Sequence, residues 1–280
     1  MLPQSPNSGA EIKPGPRILV IANQKGGVGK TTTTINLGTA LAAVGQNTLI
    51  IDLDPQGNAS TGLGISHQER KLTSYDVLVG SASLHEARVA TRIPGLNIVP
   101  ATVDLSGAEF ELASEPRRNF RLRDALELFA GSNSGFSYVL IDCPPALGLL
   151  TVNAMVAAHA AVVPLQCEFF ALEGLSQLLK TIERVRLSLN PSLEIQGVIL
   201  TMFDKRNNLS DQVASDVRAH LGDKVYETII PRNVRISEAP SHGLPALVYD
   251  LRCPGSQAYI KLAGELIQRE RARFSGPLAA

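Results

Sequence analysis

The sequence predicts an α/β fold: a mostly parallel, twisted sheet with helices on both faces. Three observations carry this. Short, near-continuous apolar runs recur along the chain between turn residues, as strands buried on both faces require. Longer stretches with helical spacing alternate with those runs. Nothing between residues 17 and 274 reads as a linker or an internal repeat, so the elements form one domain, flanked by tails at 1–16 and 275–280.

The elements follow in order. "RILVIAN" (17–23) is a β-branched, apolar first strand. A Gly-rich turn follows, then "TTTTINLGTALAAVG", where Ile35, Leu37, Leu41 and Ala42 suit a helix ending near Gly45. "NTLIIDLD" is a second strand. Residues 62–90 are polar, lean helical, and are expected to pack beside the sheet. "LNIVPA" (96–101) is a third strand and "RLRDALELFA" a helix. "FSYVLIDCPP" is a fourth strand, stopped by Pro144 and Pro145. "AAVVPLQC" (160–167) is a fifth, followed by the amphipathic helix "EGLSQLLKTIERVRLSL". "LEIQGVILTMF" is a sixth strand, "SDQVASDVRAHLG" a helix, "KVYETIIP" a seventh strand, and "GSQAYIKLAGELIQRERARF" the last helix.

Composition excludes several classes. Apolar residues make up 44% of 280 and charged residues 19%, which suits a globular protein with a substantial core. Net charge is zero, so any nucleic-acid surface must be local. The three cysteines, Cys143, Cys167 and Cys253, have no CxxC spacing, which fits a reducing compartment rather than a disulfide framework or zinc knuckle. No apolar run approaches the ~20 residues that span a bilayer. The first sixteen residues hold four prolines and no signal-peptide core, so a cytoplasmic protein is expected.

The chemistry starts at "KGGVGKTT": Lys25, Gly26, Gly27, Val28, Gly29, Lys30, Thr31 and Thr32. Glycines let backbone N–H groups curl around phosphates, and the following helix adds its positive end. Between a strand and a helix this is a phosphate-binding loop, and the fold becomes that of a P-loop NTPase. Lys30 is expected on the β- and γ-phosphates of ATP, and the Thr31 hydroxyl on Mg²⁺. "YVLIDCPP" puts Asp142 at the end of a buried strand, where a carboxylate is costly unless it faces a cation; Mg²⁺ is the expected one. "LIIDLDPQGNAS" puts Asp52 and Asp54 two residues apart at a strand end; if the strand continues that far they share one face and can address the same site. The pattern alone leaves Asp52 either a local cap or a supporting carboxylate.

KGGVGKTT resembles the deviant Walker A motif of the family that includes ParA/Soj partition ATPases, MinD, the arsenite-pump ATPase and the nitrogenase iron protein. "VILTMFDKRNNLSDQV" and "TIIPRNVRISEAPSHGLPALVYD" extend the resemblance to chromosomal ParA/Soj proteins over about residues 17–270. It implies an ATPase that forms an ATP-dependent sandwich homodimer, binds double-stranded DNA nonspecifically near the nucleoid, and is stimulated by a ParB/Spo0J-type centromere-binding partner. It implies that Lys25 crosses the dimer to the partner's phosphates, a cation supplied in trans. Asp54 orients or activates the attacking water and serves the Mg²⁺ site, with Asp52 supporting the shell around the metal. Pro231, Arg232 and Asn233 are candidate base or ribose contacts, and Arg206 and Arg235 candidate DNA contacts. Charge alone would not have found that surface, since residues 201–280 hold eleven Lys and Arg against nine Asp and Glu.

Three features read more plainly. His242 in "PSHG" is a loop histidine and not a base. Cys143 is a small buried residue, without the spacing of an iron–sulfur ligand. Tyr259, Leu262, Ala263, Leu266 and Ile267 form an apolar stripe expected to pack on the core instead of a membrane, the site MinD-type relatives use it for. The competing readings are a MinD-like division-site regulator and a metabolic P-loop enzyme phosphorylating a small carboxylate.

Overall fold

The computed structural model describes residues 15–132 and 134–275. The tail expected at 1–16 lies outside them except for Gly15 and Pro16, as do residues 276–280. One seven-stranded sheet organises the rest: β1 (Arg17–Ile21), β2 (Thr48–Asp52), β3 (Val89–Ala90), β4 (Leu96–Val99), β5 (Tyr138–Asp142), β6 (Ala160–Gln166) and β7 (Glu194–Thr201). Their order across the sheet is β3-β4-β2-β5-β1-β6-β7, with β3 alone antiparallel. Six longer helices cover the faces: α1 (Lys30–Ala43), α2 (Arg121–Gly131), α3 (Leu149–Ala157), α4 (Ala171–Ser188), α5 (Asn208–Leu221) and α6 (Pro254–Ser275).

Strand alternation divides the core in two. Val20, Ile51, Val139 and Ile141 point to the face covered by Leu126 and Phe129 of α2, Leu150 of α3 and Leu178 of α4. Leu19, Ile21, Ile50 and Leu140 point the other way, to Leu37 and Leu41 of α1 and Tyr259, Leu262 and Leu266 of α6. The apolar stripe of α6 is thus core, with Ile267 packed at its margin. No helix among the described residues is long and apolar enough to cross a membrane.

Two strand expectations change. "KVYETIIP" does not form a continuous strand. It meets β7 through one isolated bridge, Val198 with Val225, and the bond from Ile230 N to Leu200 O at 2.9 Å, and meets the chain just past β7 through a second bridge, Phe203 with Pro231. Between these points, the backbone N–H groups of Glu227 and Thr228 donate to the Glu265 carboxylate of α6 at 2.9 Å each, and so leave the ladder. The seventh strand is instead β3, inside the stretch read as polar and helix-leaning. The rest of that stretch holds short helices, Ser74–Val79 and Leu84–Ala87, between turns, with reciprocal caps at Thr73 with Asp76 and Ser83 with Glu86. Helix α3 carries no amphipathic signal, because nearly every residue from Leu150 to Ala157 is buried.

The functional consequence is the sheet's centre. β1 lies between β5 and β6, and the chain leaves β1 into α1 on one face. Ligands of such sheets sit beyond the strands' C-terminal ends at this reversal. The register brings Asp52 of β2 directly across from Asp142 of β5.

Candidate functional site: a phosphate loop facing three aspartates

The loop after β1 is built from its own backbone. Gly27 and Gly29 hold φ of 76° and 89°, the left-handed region that glycine adopts without strain. Asn23 braces the start, donating to Pro164 O at 2.8 Å and accepting from Lys25 N at 3.0 Å. Thr201 at the end of β7 braces the middle, donating to Val28 O at 2.9 Å. Gly26 and Gly27 stay exposed, so their backbone is open to a ligand. α1 starts at Lys30 with no side-chain cap, leaving its first N–H groups for an anion.

Lys30, Asp142 and Asp54 converge here. Lys30 is buried and donates from Nζ to Lys25 O at 3.0 Å. Burial lowers its pKa, while Asp142, Cys143 and Asp54 nearby raise it. Asp142 is fully buried; its Oδ1 accepts from Thr34 Oγ1 at 3.0 Å, and its Oδ2 has no hydrogen-bond partner. Burial and the facing Asp52 push its carboxyl well above the ordinary range, while the nearby Thr31 and Thr34 hydroxyls oppose the rise. An orphaned oxygen of this kind fits a cation. The donor set of hard oxygens, Asp142 and the Thr31 hydroxyl, suits Mg²⁺.

Asp52 is placed differently. Its Oδ2 accepts from Ser60 N at 2.9 Å and Ser60 Oγ at 2.7 Å, and its Oδ1 from Asp54 N at 3.2 Å. Burial raises its pKa and these donors oppose the rise. Both oxygens are therefore engaged in organising the loop after β2. Asp54 is 9% exposed, and its Oδ1 accepts from Gln56 N at 3.0 Å. Thr32 lies at the first turn of α1, half-buried. Cys143 is buried, its thiol pushed up by burial and by Asp142. His242 stacks on Tyr249 with ring centroids 4.9 Å apart.

Other expected residues stand away from this cluster. Lys25 is half-exposed and ion-paired with Glu168 of its own chain, just beyond β6. Pro231, Arg232 and Asn233 line a cavity of about 1040 Å³ with Phe203 and Lys261. Asn233 Oδ1 also caps a short helix through Arg235 N at 3.0 Å. Arg206 is paired with Asp204 at 2.8 Å and Arg235 with Glu238 at 3.0 Å, both on the surface. Exposed pairs of this type are weak and exchange partners readily.

Sequence reading missed Thr34, Ser60, Asn23 and Glu168. Thr34 had a usable signal: it lies one turn after Lys30, so both face the same way. The other three act across folded contacts that spacing does not encode.

Comparison with known proteins agrees with this geometry. The family model described as an AAA domain matches residues 16–195. A chromosome partitioning protein ParA of Caulobacter vibrioides is 68% identical over 257 residues, covering 92% of this chain and 96% of that protein. The sporulation initiation inhibitor protein Soj of Bacillus subtilis is 51% identical over 250 residues, covering 89% and 98%. Among solved structures, a Mycobacterium smegmatis cobyrinic acid a,c-diamide synthase with bound ATP analogue and magnesium superposes with TM-score 0.79 at 36% identity, covering 92% and 97%. The cell division ATPase MinD of Pyrococcus furiosus superposes at 0.74 and 29% identity, covering 90% and 98%. With this identity across nearly its whole length, the chain belongs to the ParA/Soj family of chromosome-partitioning proteins.

Proposed function

We propose that this chain is a DNA-partitioning ATPase whose nucleotide state sets its assembly. ATP and Mg²⁺ bind at the glycine loop and favour a sandwich homodimer. The dimer binds double-stranded DNA nonspecifically, which places it on the nucleoid within the cytoplasm. Hydrolysis to ADP and phosphate, slow alone and stimulated by a ParB/Spo0J-type centromere-binding partner, releases it.

The observation that carries this is the buried, unpartnered Oδ2 of Asp142 beside Lys30 at the mouth of a phosphate loop. Lys30, Thr31 and Asp142 are the residues that would hold a Mg–nucleotide, and Mg²⁺ when bound neutralises phosphate charge. Lys30 adds a fixed cation on the transferring oxygens. Asp54 aligns water for in-line attack on the γ-phosphorus as the bond to the bridging oxygen breaks. Little covalent work falls to the protein, so positioning sets the rate and a partner can complete it. Lys25 exchanges Glu168 for the phosphates of the other subunit, which couples assembly to ATP. Pro231, Arg232 and Asn233 face the base or ribose from the cavity beside β7.

DNA retention follows from multivalency. Each subunit offers only a weak patch around Arg206 and Arg235, and dimerisation doubles it. Contacts of this kind go to phosphates, lack base specificity and fade steeply with salt.

The test is co-sedimentation with DNA in ADP, in ATP and in a non-hydrolysable analogue, at two salt concentrations. Retention is expected with ATP and the analogue, not with ADP, and should weaken at the higher salt. Equal retention in all three would refute the coupling. ATP turnover that rises with a small carboxylate, and not with DNA plus partner protein, would favour a metabolic enzyme.

A further inference from the structure

Helix α3 begins directly after residues 143–148, the loop that leaves Asp142. Its N-cap, Gly148, offers no side chain to cap with. The N–H of Leu149 instead donates to Glu109 Oε1 at 2.8 Å, from a residue 40 positions earlier in the short helix Ala108–Glu111. A carboxylate there meets the positive end of α3. The approach is so close that a Cβ at Gly148 would overlap the Glu109 carboxylate.

The body of α3 is fixed independently. Asn153 is fully buried; it donates to Arg118 O at 2.8 Å and Leu149 O at 3.0 Å, and accepts from Leu122 N at 3.2 Å. Glu109 is itself exposed, on a short helix anchored by the buried Ala108 and, just after it, Leu112. The loop 143–148 therefore runs from Asp142 at the end of β5 to the Leu149 amide held by Glu109, with one tie between them, Thr151 Oγ1 donating to Ala146 O at 2.6 Å. Two of its six residues are prolines, which narrow the paths it can take between these ties.

We propose that Glu109 is a positioning residue for hydrolysis, acting through Leu149 to hold the 143–148 loop in place beside the phosphate site. This rests on the ATPase reading above. Glu109 lies in neither the phosphate loop nor the aspartate cluster. Its removal is therefore read in kcat and not in ATP affinity.

The test uses the full chain with Glu109→Ala and the near-isosteric Glu109→Gln, which keeps an acceptor but loses the charge. Glu109→Ala should lower kcat about 5- to 10-fold, the rate equivalent of one lost capping bond, with the dissociation constant for ATP within about twofold of the parent. Glu109→Gln should recover part of the rate. In the nucleotide-free protein, amides of residues 143–152 should exchange with solvent faster in Glu109→Ala than in the parent. Parental kcat and exchange in Glu109→Ala would overturn the proposal. So would a loss of kcat matched by an equal loss of ATP affinity. If the parent turns over no ATP, the ATPase reading falls, and the exchange rates alone decide whether Glu109 holds the loop.

Discussion

Thr34→Val tests the metal role proposed for Asp142 without replacing that carboxylate. Valine has nearly the volume of threonine, so the change removes a hydroxyl, which lies 3.0 Å from Asp142 Oδ1 and 3.1 Å from Lys30 O, and leaves packing intact. Thr34 and Asp142 are both fully buried, and the bond between Thr34 Oγ1 and Asp142 Oδ1 is 3.0 Å long. Asp142 Oδ2 already lacks a partner, so the variant strips a donor from a carboxylate with little else to lean on. A hydrogen bond to a charged group contributes about 1.5–3 kcal/mol. The lower end applies in the absence of metal, because Asp142 can take up a proton and relieve its own desolvation. Stability of the metal-free protein should therefore fall by about 1.5 kcal/mol. The half-saturating Mg²⁺ concentration for ATP binding should rise about tenfold, the usual effect of losing a group that orients a metal ligand. Urea unfolding gives the first quantity, and magnesium titration of a fluorescent ATP analogue the second. Thr34→Ser, which keeps the hydroxyl, is the control. Magnesium dependence within twofold of the parent in Thr34→Val would refute the assignment of Asp142.

The remaining expectations follow from the same geometry. Lys25→Ala should bind ATP as a monomer and fail in dimer formation, hydrolysis or both; sedimentation velocity with ATP checks this, and a normal dimer with normal turnover would contradict it. Asp54→Ala should trap ATP-dependent dimers that do not turn over, read as DNA retention without phosphate release. Arg235→Ala and Arg206→Ala should lose most DNA retention while keeping the dimer, and unchanged retention would remove these residues from the surface. Without metal, Asp52 and Asp142 hold protons that the unfolded chain has already released, so stability should fall as pH rises from the ordinary carboxylate range through their raised folded values. Thermal unfolding in a chelator from about pH 5 to about pH 8 checks this, and Asp142→Asn should flatten the slope.

What the sequence discloses depends on range. The phosphate loop is local: strand, glycines and helix start are contiguous, and Lys30, Thr31 and Asp142 meet as their positions imply. The strands are legible because burial on both faces writes a continuous apolar run. Helix α3 fails for the converse reason: it is buried all round, so it has no polar face to mark a period. "KVYETIIP" reads as a strand by composition, but Glu265, 37 and 38 residues away, takes two of its N–H groups. Ser60 on Asp52, Glu168 on Lys25 and Glu109 on Leu149 share that property. Each is an ordinary polar residue whose meaning comes from what folding brings to it.

The sheet order makes the site's electrostatics unavoidable. Placing β2 beside β5 in register sets Asp52 against Asp142, and the chain after β2 returns Asp54 to the same end. Lys30 is the buried cation drawn to Asp142 and Asp54, and Arg70 is the buried cation coupled to Asp52. Arg70 spends its hydrogen bonds on Ile65 O, Ala101 O and Thr61 Oγ1, so it steadies the loop more than it neutralises the carboxylates. Three acids facing two cations among buried side chains favour either protonation or a bound cation. A ligand that brings its own positive charge relieves that repulsion only in the folded state. By mass action it must then stabilise the fold as well as occupy it. Nucleotide affinity and folding stability are thus linked through Asp142, and a substitution that relaxes the repulsion, such as Asp142→Asn, should stabilise the ligand-free chain while abolishing its response to Mg–ATP.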